Sequence, residues 1–572
     1  MFGVLEDLVP QAGAAIESIA ALMRSGHACA VAASFGKDSS CLLELALASA
    51  RRVQAEGCDP LLIVMAVDTL VENPEMSGLA RREMARLKSY AQASGLRLEA
   101  HVVSPSLRDS FQVSVLGGRS LPSFAGSKAE CSVSWKVEPM ARLLASLKRT
   151  GREGKEVVVL TGSRFEESEA RSRKMQERGA NATRPVRNQE GLLVLTPIAE
   201  WDSDAVWEVI GYCASGMVRC YSDHKELLEV YAAAGGSSCA VVSDMVSGQH
   251  RSGCSARTGC FLCTQVSEDK SLTSMVQEQR YDYMSGLVAL RNYIAATQYD
   301  WTRRHWIGRP VVNGFVRIGP STYSGSELLA LTRYCLSLDA QEEAIALARG
   351  EEPRFQILSF EQVVALDCLW SLEGLQLPFT AVTQWREIKD LRTKSYRVPQ
   401  MVSMPARKMP EPRYVLVGTE HEASQHDGSG LQDWVAQALT PSGDSGCMGT
   451  TTLASGVEVL DINTSGSLEV DIESAAFALA YDQDRMEEIR AQASRGGSWT
   501  SGYRWWLQRG AVSVSRGSRS QLDAVLRRTV MKERLGLAGQ VNLKEVIARS
   551  IGAAEMGQRS GQATVWEPEL AL

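Results

Sequence analysis

Four cysteines, Cys239, Cys254, Cys260 and Cys263, fall within 25 residues, separated by fourteen, five and two residues. Thiolates in such a group can hold a tetrahedral zinc or a [4Fe–4S] cluster, and a C-x-x-C pair reaches one metal centre from a single turn. Gly253 and Gly259, each just before one of these cysteines, permit the tight backbone that such a site needs. His250 leaves a mixed Cys/His zinc site open, and spacing alone does not choose between zinc and cluster.

A second concentration of chemistry is the string AVAASFGKDSSCLLELALASA, in which an apolar strand ends at Ser34 and a helix begins near Ser39. A loop of small residues there lets backbone N–H groups approach a phosphate, and the helix start adds its positive dipole end. Lys37 and the hydroxyls of Ser34, Ser39 and Ser40 supply further donors. The Walker pattern G-x-x-x-x-G-K-[ST] is not met, because Val31 stands where the first glycine belongs and Asp38 follows the lysine. Cys41 sits on the first turns of that helix. The dipole and Lys37 would favour a thiolate there, whereas SSCLLELAL equally suits a small buried apolar residue.

The elements that must carry these residues alternate short apolar runs with helical periodicity. Strands are expected at Ala28 to Ala33, Leu61 to Val67, Leu96 to Val103 and Val157 to Thr161, with helices over Ser39 to Glu56, Ser77 to Ser94 and Pro139 to Arg149. Strand, glycine-containing turn, helix and strand form the unit of a doubly wound α/β fold with a parallel sheet, which binds ligands at the C-terminal ends of its strands. After about Asp204 the pattern dissolves into helix, then the Gly- and Ser-rich stretch from 235 to 257, then a mostly helical region. Glu351 to Glu387 reads as amphipathic helix, and Pro399 to Pro412, with four prolines, as a linker. The domains expected are therefore 1–212, 213–398 with the cysteine group, the linker 399–412, and a mixed C-terminal region 413–572.

The string Ser34-Phe35-Gly36-Lys37-Asp38-Ser39 resembles the pyrophosphatase loop, SGGKDS or SFGKDS, of the ATP pyrophosphatases and sulfonucleotide reductases of the PAPS reductase (PP-loop) superfamily. VDTLVENPE, with Asp68 just past the second strand, resembles the acidic turn at their nucleotide site. GSRFEESEARS, from Gly162 to Ser172, resembles their G-x-R-x-x-E-S-x-x-R string, so Arg164 and Arg171 are expected to pair with phosphate oxygens and Glu167 to orient one of them. Standing alone, Asp68 would read as a helix cap and the arginine string as an exposed salt-bridged helix.

With GCFLCTQVSEDKSL and GFVRIGPSTY added, the chain is similar over about residues 20 to 390 to the DndC/SspD family of sulfurtransferases of bacterial DNA phosphorothioation. The resemblance implies an adenine nucleotide alpha hydrolase-like fold, ATP and Mg²⁺ with Asp38 or Asp68 as ligands, and a [4Fe–4S] cluster. It also implies adenylation of a DNA phosphate oxygen with release of pyrophosphate, followed by displacement of AMP by sulfur. The sulfur would come from a cysteine desulfurase as a persulfide on Cys131 or Cys41, beside other proteins of that system. Cys131 opens CSVSWKVEP, similar to the CCxxRKVxP string of the iron–sulfur reductases with Ser132 in place of the second cysteine. That departure turns the ligand set toward Cys239, Cys254, Cys260 and Cys263 and frees Cys131. The rival readings are an APS or PAPS reductase, a tRNA-thiolating enzyme and a non-catalytic nucleotide-sensing scaffold.

Composition narrows the partners. With 44% hydrophobic and 22% charged residues the chain is a folded globular one, and no apolar run approaches the length of a membrane span, so a cytoplasmic protein without membrane contact is expected. A net charge of -6 means that DNA contact must come from a local patch. Two strings interleave charge with rings as single-strand grooves do: Trp301 to Arg309, and Arg495 to Arg534 with Tyr503, Trp505 and Trp506. Either would serve equally as a solvated helix face with core aromatics.

Overall fold

The computed structural model describes residues 4–149, 156–188, 191–235, 259–401, 404–421, 448–452, 458–462, 468–514, 519–539 and 565–566. The chain divides into two compact units, Met1–Pro105 with Ala129–Val288, and Ser106–Lys128 with Ala289–Leu572. This division does not fall at 212 and 398, where the sequence places its domain boundaries. The Cys260–Cys263 turn belongs with the first unit, and residues after 412 share a core with the helices before them.

The first unit is built on strands β1 (Ala28–Ala32), β2 (Leu61–Val67), β3 (Arg97–Val103), β4 (Val157–Leu160), β5 (Val186–Arg187) and β6 (Leu193–Leu195). They form one sheet in the order β3-β2-β1-β4-β6-β5, parallel except for β5 against β6. β1 and β2 read as unbroken apolar runs because both faces of the sheet are covered. Alternate residues go to opposite sides. Cys29, Val31, Leu62 and Val64 pack into one core with the helices Pro10–Arg24, Lys37–Ala55 and Ser203–Ala214, whereas Ala28, Ala30, Leu61, Ile63 and Met65 meet Leu144 of the Glu138–Arg149 helix. This is the expected doubly wound α/β arrangement, with the four expected strands within a residue of their places. β5 and β6, two and three residues long, are too short to show as periodicity.

The chain runs β1, β2, β3 to one edge and then returns to place β4 on the other side of β1. The reversal opens a crevice at the C-terminal ends of β1 and β4, the usual ligand position in such sheets.

The second unit centres on the Phe360–Glu373 helix, in which every residue from Gln362 to Glu373 is buried. The amphipathic helix expected over Glu351 to Glu387 is therefore corrected. It is two helices, Phe360–Glu373 and Thr380–Trp385, and the first is covered on all sides because Tyr503, Trp505 and Trp506 of the Ser501–Gln508 helix complete its core. The buried Asp367 joins them, accepting from the N–H groups of Phe379 (3.0 Å) and Ala381 (2.8 Å) and from Trp506 Nε1 (3.0 Å). Strands β7 (Phe315–Ile318) and β8 (Arg413–Leu416) pair antiparallel, and the described residues of 399–412 carry no helix or strand.

Candidate nucleotide site

β1 delivers the chain to a loop whose geometry is set by three serine and glycine contacts. Ser34 N–H donates to Ser39 Oγ (3.2 Å), the two hydroxyls lie 3.1 Å apart, and Ser39 Oγ also reaches Gly36 O (3.1 Å). Phe35 takes the left-handed conformation (φ 55°) with its ring buried in the core, an uncommon backbone for a bulky residue that this packing holds in place. The helix then starts at Lys37, two residues earlier than periodicity suggests, with Gly36 as its cap. Its first-turn N–H groups lack intrahelical acceptors and face the end of the sheet where an anion is favoured. Ser40 Oγ is buried with no hydrogen-bond partner, an orphan that suits a polar ligand atom.

Asp38 is the hub. Its Oδ1 accepts from Lys37 Nζ at 2.8 Å and from Arg164 Nε at 2.7 Å. Arg164, 3% exposed, is fixed further by Glu166 (3.0 Å) and by the carbonyl of Trp201 (3.1 Å). Two cations from β1 and β4 loops are thus held beside the helix start by one carboxylate. Asp38 Oδ1 is committed to both, so Mg²⁺ ligation there would have to use Oδ2 beside two positive charges. Asp68 follows β2 as expected, but its Oδ1 closes a turn on Leu70 N–H (2.8 Å), with Leu70 at φ 64°. Glu167 accepts from Arg164 N–H (3.1 Å) and pairs with the half-exposed Arg171, which lies outside the Asp38 hub.

Gly162 has a steric reason. A Cβ there would lie 3.0 Å from the Asp38 carbonyl oxygen and 3.3 Å from Ser39 N, both backbone atoms with nowhere to go. Gly162→Ala is expected to lower nucleotide turnover about a hundredfold by displacing this turn, with the circular dichroism spectrum and sheet stability retained; unchanged turnover would show that the close approach is unimportant.

Tyr231 escapes sequence reading: its hydroxyl, from the Lys225–Ala233 helix, accepts Lys37 N–H at 3.2 Å. No local string marks it, since its partner is 194 residues away.

For Cys41 the structure agrees with the second of its two readings, a small buried residue. It faces the core, fully buried, and burial, then Asp38 and Glu44, push its thiol well above the usual range. The dipole and Lys37 do not offset this desolvation, so a reactive thiolate is not favoured there.

Of the cysteine group, Cys239 and Cys254 lie outside the described residues, as do His250 and Gly253. Cys260 and Cys263 share a turn (Cys263 N–H to Cys260 O, 2.9 Å), docked on the loop after β2 through Phe261 N–H to Val71 O (2.9 Å). Cys260 Sγ lies 3.7 Å from Thr69 Oγ1 and 3.9 Å from Glu72 Oε1, and Lys136 Nζ pairs with Glu72 at 3.0 Å. Burial and then Glu72 push the Cys260 thiol up to about 12, opposed by Lys136. The Lys136 ammonium is disfavoured by burial but raised overall by Glu72, Cys260 and the half-exposed Cys131. Cys131, set apart from the ligand group on the strength of Ser132, thus shares its lysine with Cys260. Two half-buried thiols on one C-x-x-C turn fit a thiolate-ligated metal or cluster; Cys260 and Cys263 would hold it, together with ligands beyond the described residues.

The basic and aromatic strings lie in the second unit; Trp301 is partly exposed, and His305, Trp306, Tyr503, Trp505 and Trp506 are interior. Arg303 pairs with Asp300 and Glu327 (both 2.8 Å), Arg304 is buried against Tyr323, and His305 and Trp306 are buried. Tyr503, Trp505 and Trp506 are likewise core residues. The buried rings are core aromatics, the second of the two readings given for these strings. Among the described residues no helix is long and apolar enough to cross a membrane.

No curated protein matches the chain significantly. Residues 28–266 match the family model of the phosphoadenosine phosphosulfate reductase domain, from the first residue of β1 to just past Cys263. The match covers the sheet, the phosphate loop and the cysteine turn together, and it supports the placing of this stretch in the PAPS reductase, or PP-loop, superfamily of nucleotide-binding enzymes.

Proposed function

We propose that the protein is an ATP-dependent sulfurtransferase that releases pyrophosphate from ATP, adenylates a DNA backbone phosphate and replaces one of its oxygens by sulfur. The observation that carries the nucleotide half of this reading is the pairing of Lys37 and Arg164 on Asp38 at the start of the Lys37–Ala55 helix. Phosphates placed on the Ser34–Ser40 loop would meet helix N–H groups, serine hydroxyls and these two cations. A non-bridging phosphate oxygen attacks the α-phosphorus, the bond to the β-phosphate breaks, and the charge that develops on the leaving pyrophosphate is offset by Lys37 and Arg164. Mg²⁺, with Asp68 as the better candidate ligand, would neutralise further phosphate charge.

Cys131 is the better sulfur carrier, because it is half-exposed whereas Cys41 is sealed in the core. A persulfide on it attacks the adenylated phosphorus, AMP leaves, and a second thiol cleaves the S–S bond to leave sulfur on phosphorus. The metal centre at Cys260 and Cys263 is proposed to be a [4Fe–4S] cluster, and the persulfide donor a cysteine desulfurase. The DNA acceptor and the partner proteins rest on the family resemblance.

The second reading is a sulfonucleotide reductase, favoured by the placing of Cys131 beside Cys260 around Lys136 and by the name of the matched family. One comparison separates them. The reduced, anaerobically purified protein is given ATP with single-stranded DNA, double-stranded DNA or tRNA, and separately given adenylylsulfate with a thiol donor. DNA-stimulated pyrophosphate release, with phosphorothioate linkages detected by mass spectrometry after nuclease digestion, is the expected result. Sulfite from the sulfated nucleotide without pyrophosphate release from ATP would replace it by the reductase reading, and stimulation by tRNA alone would reassign the acceptor.

A further inference from the structure

A second convergence of metal-binding side chains lies behind the phosphate loop, away from the Cys260–Cys263 turn in both sequence and use. The Ser203–Ala214 helix ends in a tight reversal, with Gly216 at φ 70° and its N–H on Cys213 O (3.0 Å), and Met217 N–H on Tyr212 O (3.1 Å). The reversal brings Cys220 back beside Cys213, so that its thiol faces the Cys213 carbonyl at 3.8 Å. Glu44, two turns into the Lys37–Ala55 helix, meets them from the opposite side. One ligand atom from each of Glu44, Cys213 and Cys220 lies within 4.8 Å of the others, which makes them the one such group of three among the described residues.

Glu44 and Cys213 are buried and Cys220 is half-buried. A carboxylate in that position needs compensation, and the two thiols supply only weak donors. His224 supplies one strong contact, Nε2 to Glu44 Oε1 at 2.9 Å. Its other nitrogen, Nδ1, is completely buried without a hydrogen-bond partner, 3.7 Å from Glu83 Oε2, which is also without one. His224 further stands in the left-handed region at φ 52°, where it caps the Lys225–Ala233 helix. An imidazole held in that backbone with one nitrogen on a carboxylate is the kind of outer partner that orients a metal ligand.

We propose that Glu44, Cys213 and Cys220 form a zinc site, with His224 fixing the Glu44 carboxylate and water in the fourth position. Two sulfurs and one oxygen suit zinc better than Mg²⁺ or Ca²⁺, which take oxygen ligands, and three protein ligands leave a tetrahedral position open. Binding replaces the two thiol protons by one cation, so the buried carboxylate gains a positive partner and two protons go to solvent. The position has a consequence for the nucleotide site. Glu44 rides on the helix that starts at Lys37, and His224 caps the helix that carries Tyr231 onto Lys37 N–H. Zinc would clasp the Lys37–Ala55 helix to the Ser203–Ala214 helix and the Cys220 segment, and, through His224 on Glu44, steady the helix that carries Tyr231.

The test reads the metal directly, independently of ATP turnover. Reduced, chelator-treated full-length protein is alkylated with iodoacetamide with and without zinc, and each cysteine-containing peptide is quantified by mass spectrometry. Zinc is expected to slow alkylation of Cys220 by about tenfold or more, with the protection reversed by chelator and absent in Glu44→Gln. The same peptides report Cys260 and Cys263 separately, so protection there cannot be mistaken for this site. Cobalt(II) titration gives a second readout: thiolate-to-cobalt absorption should fall in Cys213→Ser/Cys220→Ser relative to wild type. No protection of Cys220 by zinc in the wild-type protein would overturn the proposal, as would a Cys213–Cys220 disulfide that persists in the reduced protein.

Discussion

Lys37→Ala is expected to lower pyrophosphate release from ATP by about 10²–10³-fold while the sheet remains folded. Lys37 stands at the start of the helix that follows β1, and its ammonium is held 2.8 Å from Asp38 Oδ1 beside the Arg164 guanidinium. In the proposed reaction its removal deletes a charge that would meet the leaving phosphates, and the polar Lys37, though buried at the helix start, is no part of the apolar core. Arg164→Lys tests the same geometry more finely. Arg164 bridges Asp38, Glu166 and the Trp201 carbonyl, and a lysine cannot reproduce that fork, so a large loss there with normal unfolding behaviour would mark orientation as the feature that matters. Turnover unchanged in Lys37→Ala, measured by coupled pyrophosphate detection at saturating ATP, would remove Lys37 from the chemistry, whereas no turnover in the wild type would leave a nucleotide-sensing scaffold as the better account.

The largest stability effect is expected at Asp367→Ala, about 3–5 kcal/mol in the second unit. The carboxylate satisfies three backbone N–H groups, of Phe379, Ala381 and Val382, and Trp506 Nε1, all interior. Alanine would leave those donors unpaired and open a gap beneath Trp506. Urea unfolding followed by tryptophan fluorescence checks this, and a loss below about 1 kcal/mol would mean that water replaces the carboxylate cheaply. The same residue carries a pH signature. Burial pushes its carboxyl up to about 6, against the pull of Trp506 and the backbone donors. A raised folded pKa means that the folded state holds the proton more tightly, so the stabilisation is full below the unfolded value near 4 and is lost as pH rises through about 6. Wild type should therefore lose about 3 kcal/mol relative to Asp367→Asn between pH 4 and pH 7, and parallel curves for the two would show that Asp367 does not titrate there.

Much of the first unit was legible because its signals are local. β1 and β2 are unbroken apolar runs, the Ser34–Ser39 loop joins a strand to a helix, and the three motif strings follow β1, β2 and β4; each depends on neighbours along the chain. The strand ends fall within a residue for that reason, while the helix starts at Lys37, two residues before the Ser39 expected. The second unit was less legible. Periodicity made an amphipathic helix of Glu351 to Glu387, but Trp505 and Trp506, more than a hundred residues on, cover the face that the pattern assigned to water. Composition made a separate domain of the region after Pro412, when its rings complete an existing core.

What the sequence by itself determined about this protein is the chemistry at the ends of β1, β2 and β4, since loop composition, strand hydrophobicity and helix starts are set within a few residues. Tertiary structure alone decided which charged and sulfur-bearing side chains face one another. It buried Cys41, turned Arg304, His305 and Trp306 inward, brought Tyr231 onto Lys37 and Cys131 beside Lys136, and gathered Glu44, Cys213 and Cys220. The physical reason is that desolvation and charge pairing act across space: a cysteine or arginine acquires its character from what the sheet topology packs against it.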